Sequence, residues 1–94
     1  MTYKNFQNSV RQKEKPKELS KELEALWEDA NGNWERAHEL AQNINFNNGN
    51  RIHAYLHRKE GDDFNARYWY SQCGLSLPTV SLNDEWEQMV KEFL

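Results

Sequence analysis

Cysteine, proline and glycine are scarce in this chain: one, two and four residues among 94. A single cysteine cannot form an internal disulfide bond, which favours a reducing compartment such as the cytoplasm. No stretch has the length and apolarity of a membrane span or of a signal peptide. We therefore expect a cytoplasmic protein that has no membrane partner.

Aliphatic residues and net charge are also low. The hydrophobic fraction is 37% and the mean hydropathy is −1.09, which is polar for a globular chain. Four Trp, four Tyr and four Phe compensate in part, because each large ring buries a large area. The net charge of −3 argues against nucleic acid as the main partner.

The basic residues are unevenly distributed along the chain. Residues 1–17 contain five of the twelve, which are Lys4, Arg11, Lys13, Lys15 and Lys17. Tyr3, Phe6 and Val10 have helical spacing within the same segment. Two interpretations are open, a mobile basic arm and a short docked helix. A basic arm that docks on the acidic remainder of a second copy would also produce a homo-oligomer. Residues 18–94 are predicted to form a single helical domain.

Five helices are predicted from Pro16 to the end of the chain. The first begins at Pro16, since proline fits the first turn of a helix, and carries an apolar stripe of Leu19, Leu23, Leu26 and Ala30. Corners are expected at Asn31–Asn33 and Gly61–Asp63, because glycine accepts the left-handed conformation and a following polar side chain caps the next helix. Residues 45–50 are rich in Asn and Gly and are predicted to form a loop.

The last helix is predicted to begin after Ser81. A capping residue followed three positions later by Asp84 resembles a capping box, although Glu or Gln is usual at the second place. Pro78 keeps the preceding residues out of a helix. The inner face of this helix is predicted to consist of Leu82, Trp86, Met89, Val90 and Phe93.

An internal repeat relates the first two of these helices to the next two. A shift of 29 residues superposes Ala25 on Ala54, Gly32 on Gly61 and Ala37 on Ala66. Two helices that cross closely beside a tight corner need a small residue at the crossing point. The predicted fold is all-α, with two helix-turn-helix hairpins repeated at this offset and a C-terminal helix that caps them.

The run H-A-Y-L-H-R-K-E-G-D-x-x-N-A-x-Y-W-Y-x-x-x-G, from His53 to Gly74, resembles a group of short all-helical bacterial proteins with no assigned activity. The motifs A-L-W at Ala25–Trp27 and G-x-W-x-x-A-H at Gly32–His38 resemble theirs too. Tetratricopeptide units show a similar Gly-then-Ala pattern at a longer period. The resemblance implies a helical fold and no particular activity. Cys73 stands where the group is expected to have alanine, which argues against a functional thiol.

Three polar side chains share one face of the third helix. His53, His57 and Glu60 lie within about 60° of one another on a helical wheel. Two histidines four residues apart can share a metal ion. The metalloprotease helix has glutamate directly after its first histidine, and Ala54 occupies that place here, so that mechanism is not supported. No metal site is assigned, and His53 and His57 are candidate ligands.

The repeat offset suggests neighbours for these histidines. Glu24 and Glu28 of the first helix correspond to His53 and His57, and hairpins lying side by side would make the two faces adjoin. We predict a polar strip in which the carboxylates raise the histidine pKa values, with His38 at its edge. The simpler alternative is that the histidines are hydrogen-bonded neighbours of the core.

Aromatic and basic residues surround the same segment. Tyr68, Trp69 and Tyr70 point in three directions, so their helix is predicted to be sandwiched between the third and the last helices. Trp69→Ala is then expected to cost ~3–5 kcal/mol. The alternative is a stacking platform at this run. A solvated charged face is predicted for the basic residues Arg58, Lys59 and Arg67.

Two function hypotheses follow. The first is a non-enzymatic, helical-repeat-like module that binds a peptide, a protein or a small ligand through His53, His57, Glu60, Glu24, Glu28, His38, Arg58 and Tyr68. The second is a small enzyme, with a histidine as general base, or a metal-binding protein, using His53 and His57 with Glu60. No catalytic residue is assigned. No cofactor is expected, since the chain has no Gly-rich phosphate loop and no Ser-centred nucleophile motif.

Overall fold

Six α-helices and no strand make up the computed structural model, which describes all 94 residues. The all-α prediction is therefore confirmed. None of the six is at once long enough and apolar enough to cross a membrane. The helices are α1 (Tyr3–Gln12), α2 (Lys21–Ala30), α3 (Trp34–Gln42), α4 (Phe46–Lys59), α5 (Asp63–Gln72) and α6 (Leu82–Phe93).

Side-chain caps mark the beginnings of four helices. In each case a side-chain oxygen accepts a hydrogen bond from the backbone N–H three residues later, which satisfies a donor that the helix leaves free. The four capping residues are Thr2, Ser20, Asp62 and Ser81. The prediction that the last helix begins after Ser81 is confirmed.

Helix α2 begins at Lys21, so the prediction of a start at Pro16 is wrong. Ser20 is extended and caps the helix, and Glu18 has a left-handed φ of 63° that no helix can continue through. The local cap thus outweighs the preference of proline for a first turn.

The two predicted corners have the same backbone geometry. Gly32 and Gly61 adopt left-handed φ values of 85° and 88°, which glycine accepts without a steric cost. At the first corner the N–H groups of Gly32 and Asn33 donate to the carbonyls of Asp29 and Glu28. At the second, every donor and acceptor lies 29 residues further along, from Gly61 and Asp62 to Arg58 and His57. The interpretation of the two hairpins as a repeat stays a prediction.

Helix α4 contains most of the segment predicted to be a loop. It begins at Phe46 and includes Asn47, Asn48, Gly49 and Asn50, so the loop prediction is wrong from residue 46 onward. Gly49 is buried against the end of α3, where an added Cβ would lie 2.9 Å from the carbonyl oxygen of Ala41. Close packing of the two backbones therefore overrides the low helix propensity of Asn and Gly.

Residues 3–12 form a helix docked on the body, and this is the second of the two alternatives for the N-terminal segment. Phe6 is fully buried in the main core, and its ring centroid lies 5.9 Å from that of Trp86 in α6. The indole N–H of Trp27 donates to Ser9 at 3.1 Å. The mobile-arm interpretation is corrected because the apolar face of α1 completes the core.

Helix α5 lies at the surface instead of between two helices. Tyr70 is its fully buried large side chain, Trp69 is partly buried, and Phe64 and Tyr68 are 84% and 54% exposed. α5 packs on α4 and reaches α6 through a 2.6 Å hydrogen bond from the hydroxyl of Tyr70 to Glu85. The sandwich prediction is wrong because α6 packs on α2 and α4. We therefore expect Trp69→Ala to cost less than first predicted.

Two of the basic residues assigned to a solvated face have buried partners. Arg58 donates from Nη1 to Glu85 at 2.7 Å, and Lys59 donates to Asp29 at 2.9 Å. Glu85 and Asp29 are buried, and a buried carboxylate requires a charged or hydrogen-bonding partner. Arg58 therefore has a structural role, and its assignment to a ligand site is not supported.

Candidate functional site

Three histidines converge where α3 and α5 pack against α4. His38 comes from α3, and His53 and His57 lie one turn apart on α4. The ring centroids are 4.4 Å apart for His38 and His53, 4.8 Å for His53 and His57, and 5.3 Å for His38 and His57. One potential ligand nitrogen of each ring lies within 4.8 Å of the other two. We call these three residues the histidine cluster.

The cluster results from one local spacing and one helix crossing. Residues four apart on a helix project from the same face, which accounts for His53 and His57. His38 reaches them because α3 packs closely on α4, through the buried small residues Ala41 and Gly49. The position of His38 beside the other two histidines therefore depends on tertiary structure.

Hydrogen bonds define the protonation of the cluster. The Nε2 atoms of His38 and His53 are 2.8 Å apart, so one ring donates and the other accepts through a deprotonated nitrogen. Nδ1 of His57 lies 2.6 Å from a carboxylate oxygen of Glu60. That carboxylate favours the tautomer with a proton on Nδ1, which leaves Nε2 of His57 with a free lone pair.

Two tryptophans form walls on either side of the cluster. Trp34 stacks on His38 with centroids 4.9 Å apart and planes 14° from parallel, and Trp69 stacks on His53 at 4.1 Å and 21°. The indole N–H of Trp34 donates to the carbonyl of Leu56 at 2.9 Å, which fixes the ring. His53 is consequently buried, with 6% of its surface exposed.

Burial and mutual proximity favour the neutral form of two of the rings, those of His53 and His38. Burial, reinforced by the neighbouring His38 and His57, lowers the pKa of His53 from 6.5 to about 4. Burial and the proximity of His57 also lower the pKa of His38. The predicted rise in pKa is therefore wrong for His53. A neutral imidazole is the form that binds a metal ion.

Glu24 and Glu28 are not part of the histidine cluster. Both accept a hydrogen bond from the ammonium group of Lys15, at 2.7 Å in the case of Glu28. Glu28 also accepts from the side chain of Asn33 at 2.9 Å. The predicted strip of glutamates and histidines is wrong, because the segment that links α1 to α2 lies against these carboxylates and Lys15 neutralises them.

The other predicted site residues, Glu60 and Tyr68, differ in their position relative to the histidine cluster. Glu60 is hydrogen-bonded to His57 and lies directly beside the cluster. Tyr68 is exposed, and its ring lies edge-on to Trp69 at 5.1 Å. Trp34 was not predicted as a site residue, although it stands four residues before His38 and therefore on the same helix face. That spacing is the sequence signal from which the position of Trp34 beside His38 could have been predicted.

Comparison of this chain with protein-family models, with curated proteins and with solved structures gave no match. The resemblance to the group of short helical bacterial proteins and to tetratricopeptide units stays a prediction.

The arrangement suits metal binding better than acid–base catalysis. A general base works best with a pKa near the operating pH, whereas the pKa of His53 is lowered to about 4. The cavity of this protein lies against α1, α2, α4 and α6, and none of the three histidines lines it. Three imidazole rings whose nitrogens converge on one space are a possible set of metal ligands.

Proposed function

We propose that this protein binds a divalent transition-metal ion of the zinc type through His38, His53 and His57. The observation that supports this most strongly is the convergence of one ring nitrogen from each residue within 4.8 Å of the other two. Nitrogens bound to one tetrahedral Zn²⁺ at 2.0–2.1 Å are about 3.3 Å apart. Metal binding would therefore bring the three nitrogens from within 4.8 Å of one another to that separation.

The donor set indicates which metals fit. Imidazole nitrogen suits zinc, copper and nickel, whereas magnesium and calcium prefer oxygen ligands. Three protein ligands leave the fourth tetrahedral position for water or for an incoming ligand. His53 contributes a ring that is neutral at physiological pH, so metal binding at its unprotonated nitrogen releases no net proton from it.

Glu60 supplies the orienting group that metal-binding histidines usually have. A carboxylate that accepts the other ring N–H of a ligating histidine fixes its tautomer and raises its basicity. Glu60 stands in this relation to His57, with its oxygen 2.6 Å from Nδ1. The tryptophan walls of Trp34 and Trp69 limit the access of solvent to the cluster.

The hypothesis of a peptide- or ligand-binding strip has less support. It requires Glu24 and Glu28 beside the histidines, and both carboxylates are occupied by Lys15 instead. It also requires Arg58 as a ligand-binding residue, and the side chain of Arg58 pairs with the buried Glu85 instead. The metal site requires neither.

A competition titration tests the proposal. Chelator-treated protein is titrated with Zn²⁺ at about pH 7.5 in the presence of a chromophoric chelator, and we expect saturation at one ion per chain. His38→Asn and His57→Asn alter partly exposed positions and should each weaken the affinity at least about tenfold, since each removes a ligand. The matched control is Glu39→Gln, an exposed neighbour of His38 that pairs with Arg36.

A second measurement identifies the ligands directly. Zinc should shift the NMR signals of the three imidazole rings together, and binding should weaken towards about pH 5 because protons compete for the ligand nitrogens. Equal affinity in both histidine variants and the control would overturn the proposal. A zinc titration that leaves the imidazole signals unchanged would overturn it as well.

A further inference from the structure

A cavity of about 350 Å³ lies between the N-terminal helix α1 and helices α2, α4 and α6. Residues Tyr55 and Lys59 of α4 line it, and they lie about 120–160° around that helix from His53 and His57. The cavity is therefore separate from the histidine cluster. Its volume is at the lower end of the range for small-molecule sites.

The floor of the cavity is a buried, charge-compensated network. The side chain of Asp29 is 1% exposed and accepts hydrogen bonds from Lys59 at 2.9 Å and from the hydroxyl of Tyr55 at 3.1 Å. Burial, together with the adjacent carboxylate of Asp29, raises the pKa of Tyr55, so the phenol keeps its proton. The negative charge of Asp29 is thus matched by Lys59.

Arg11 adds an unmatched positive charge to the lining. It stands in the last turn of α1 and takes no part in any of the eight ion pairs of the chain. The planar guanidinium group carries parallel donors that match the two oxygens of a carboxylate. The cavity therefore favours an anionic ligand.

The remaining walls combine three apolar side chains with the polar residues Gln7 and Asn83. Val10, Ala30 and Trp86 contribute to the lining from three different helices. The indole N–H of Trp86 already donates to the carbonyl of Leu26 at 3.0 Å, so this ring offers an apolar surface and no free donor. A ligand that matches these walls has a compact apolar body.

We propose that this cavity binds a small organic carboxylate, which pairs its carboxylate with Arg11 and places its apolar body between Val10, Ala30 and Trp86. A single ring or a short branched chain matches the volume. The site is independent of the proposed metal site, because it shares no residue with the histidine cluster.

NMR titration of the chelator-treated full chain tests this proposal. The probes are benzoate, phenylacetate and the uncharged analogue benzyl alcohol. We expect saturable shifts of the Trp86 indole and Tyr55 signals with the two carboxylates at millimolar concentrations. Benzyl alcohol should bind about tenfold more weakly, since it lacks the charge that pairs with Arg11.

Three variants separate this site from non-specific binding. Arg11→Gln should weaken benzoate binding about tenfold or more, whereas Arg67→Gln, which removes an arginine of α5 outside the cavity, should leave it unchanged. Ala30→Leu should abolish binding by filling the cavity, with helical circular dichroism verifying that the variant is folded. Unchanged benzoate affinity in Arg11→Gln, equal binding of benzyl alcohol, or the absence of saturable shifts would each overturn the proposal.

Discussion

Nδ1 of His57 lies 2.6 Å from Oε2 of Glu60, three residues further along the chain. A carboxylate in this position holds the proton on Nδ1 and turns Nε2 into the free nitrogen of the ring. The edge of Trp34, with its centroid 5.9 Å away, restricts the ring further. A short stretch of α4 and its C-cap therefore provides both a candidate metal ligand and the group that orients it.

Glu60→Ala should weaken zinc binding by about 10-fold or more, as is usual when the partner of a metal-binding histidine is removed. The stability of the metal-free protein should change by less than about 1 kcal/mol, because the pair is partly exposed to solvent. Chelator competition measures the first quantity and thermal unfolding the second. Glu39→Ala serves as the exposed control on α3. Equal zinc affinities of the two variants would contradict the role given to Glu60.

The metal-free protein should lose stability as the pH falls from 6.5 towards 4. Burial and two neighbouring imidazoles lower the pKa of His53 to about 4 in the folded state, against 6.5 for the free side chain. Between these values the unfolded chain binds a proton that the folded chain does not, so the stability is fully present above pH 6.5. His53 contributes at most about 1.4 kcal/mol per pH unit to the expected slope, and the lowered pKa of His38 adds to it.

Urea unfolding at several pH values above about pH 5 measures this slope, since carboxyl groups titrate mainly below that range. In His53→Gln, which cannot be protonated at this position, the slope should become markedly smaller. A wild-type stability that stays constant through this range would show that His53 is readily protonated in the folded protein.

Glu85→Ala should destabilise the fold by about 3–5 kcal/mol, because it leaves the buried charge of Arg58 without its partner. The side chain of Glu85 is 4% exposed and accepts hydrogen bonds from Arg58 at 2.7 Å and from Tyr70 at 2.6 Å. Glu92, which pairs with Arg51 at the surface, is the matched control, and Glu92→Ala should cost less than about 1 kcal/mol. Urea unfolding of both variants measures the two losses of stability. Losses of similar size would contradict the distinction between a buried and a surface ion pair.

Gly49→Ala should destabilise the protein by about 1–3 kcal/mol, although alanine is the better helix former. The added Cβ would lie 2.9 Å from the carbonyl oxygen of Ala41 and closer still to that of Ile44, and backbone atoms cannot move aside without moving α3. Asn47→Ala, at an exposed position of the same helix, should be within about 0.5 kcal/mol of the wild type. A stabilising Gly49→Ala would show that the two helices can separate at little cost.

Structural features that depend only on residues close together in the sequence could be predicted from the sequence. The all-α class, the two glycine corners and the cap at Ser81 arise from conformational preferences and hydrogen bonds within a few residues. The loop prediction for residues 45–50 failed for a tertiary reason. There, Gly49 is the residue that lets α4 approach α3, so packing places an Asn-rich stretch in a helix.

The same distinction between local spacing and tertiary packing applies to the candidate site. The sequence by itself determined that His53 and His57 share one face of a helix, with Glu60 within reach of that face, because helical spacing dictates it. Only the tertiary structure decided what that face meets, which is His38 and Trp69 and not Glu24 or Glu28. Periodicity specifies which residues lie together on one helix, whereas the residues opposite depend on which helices cross and where. The lowered pKa of His53 has the same origin, since burial by those helices is its main cause.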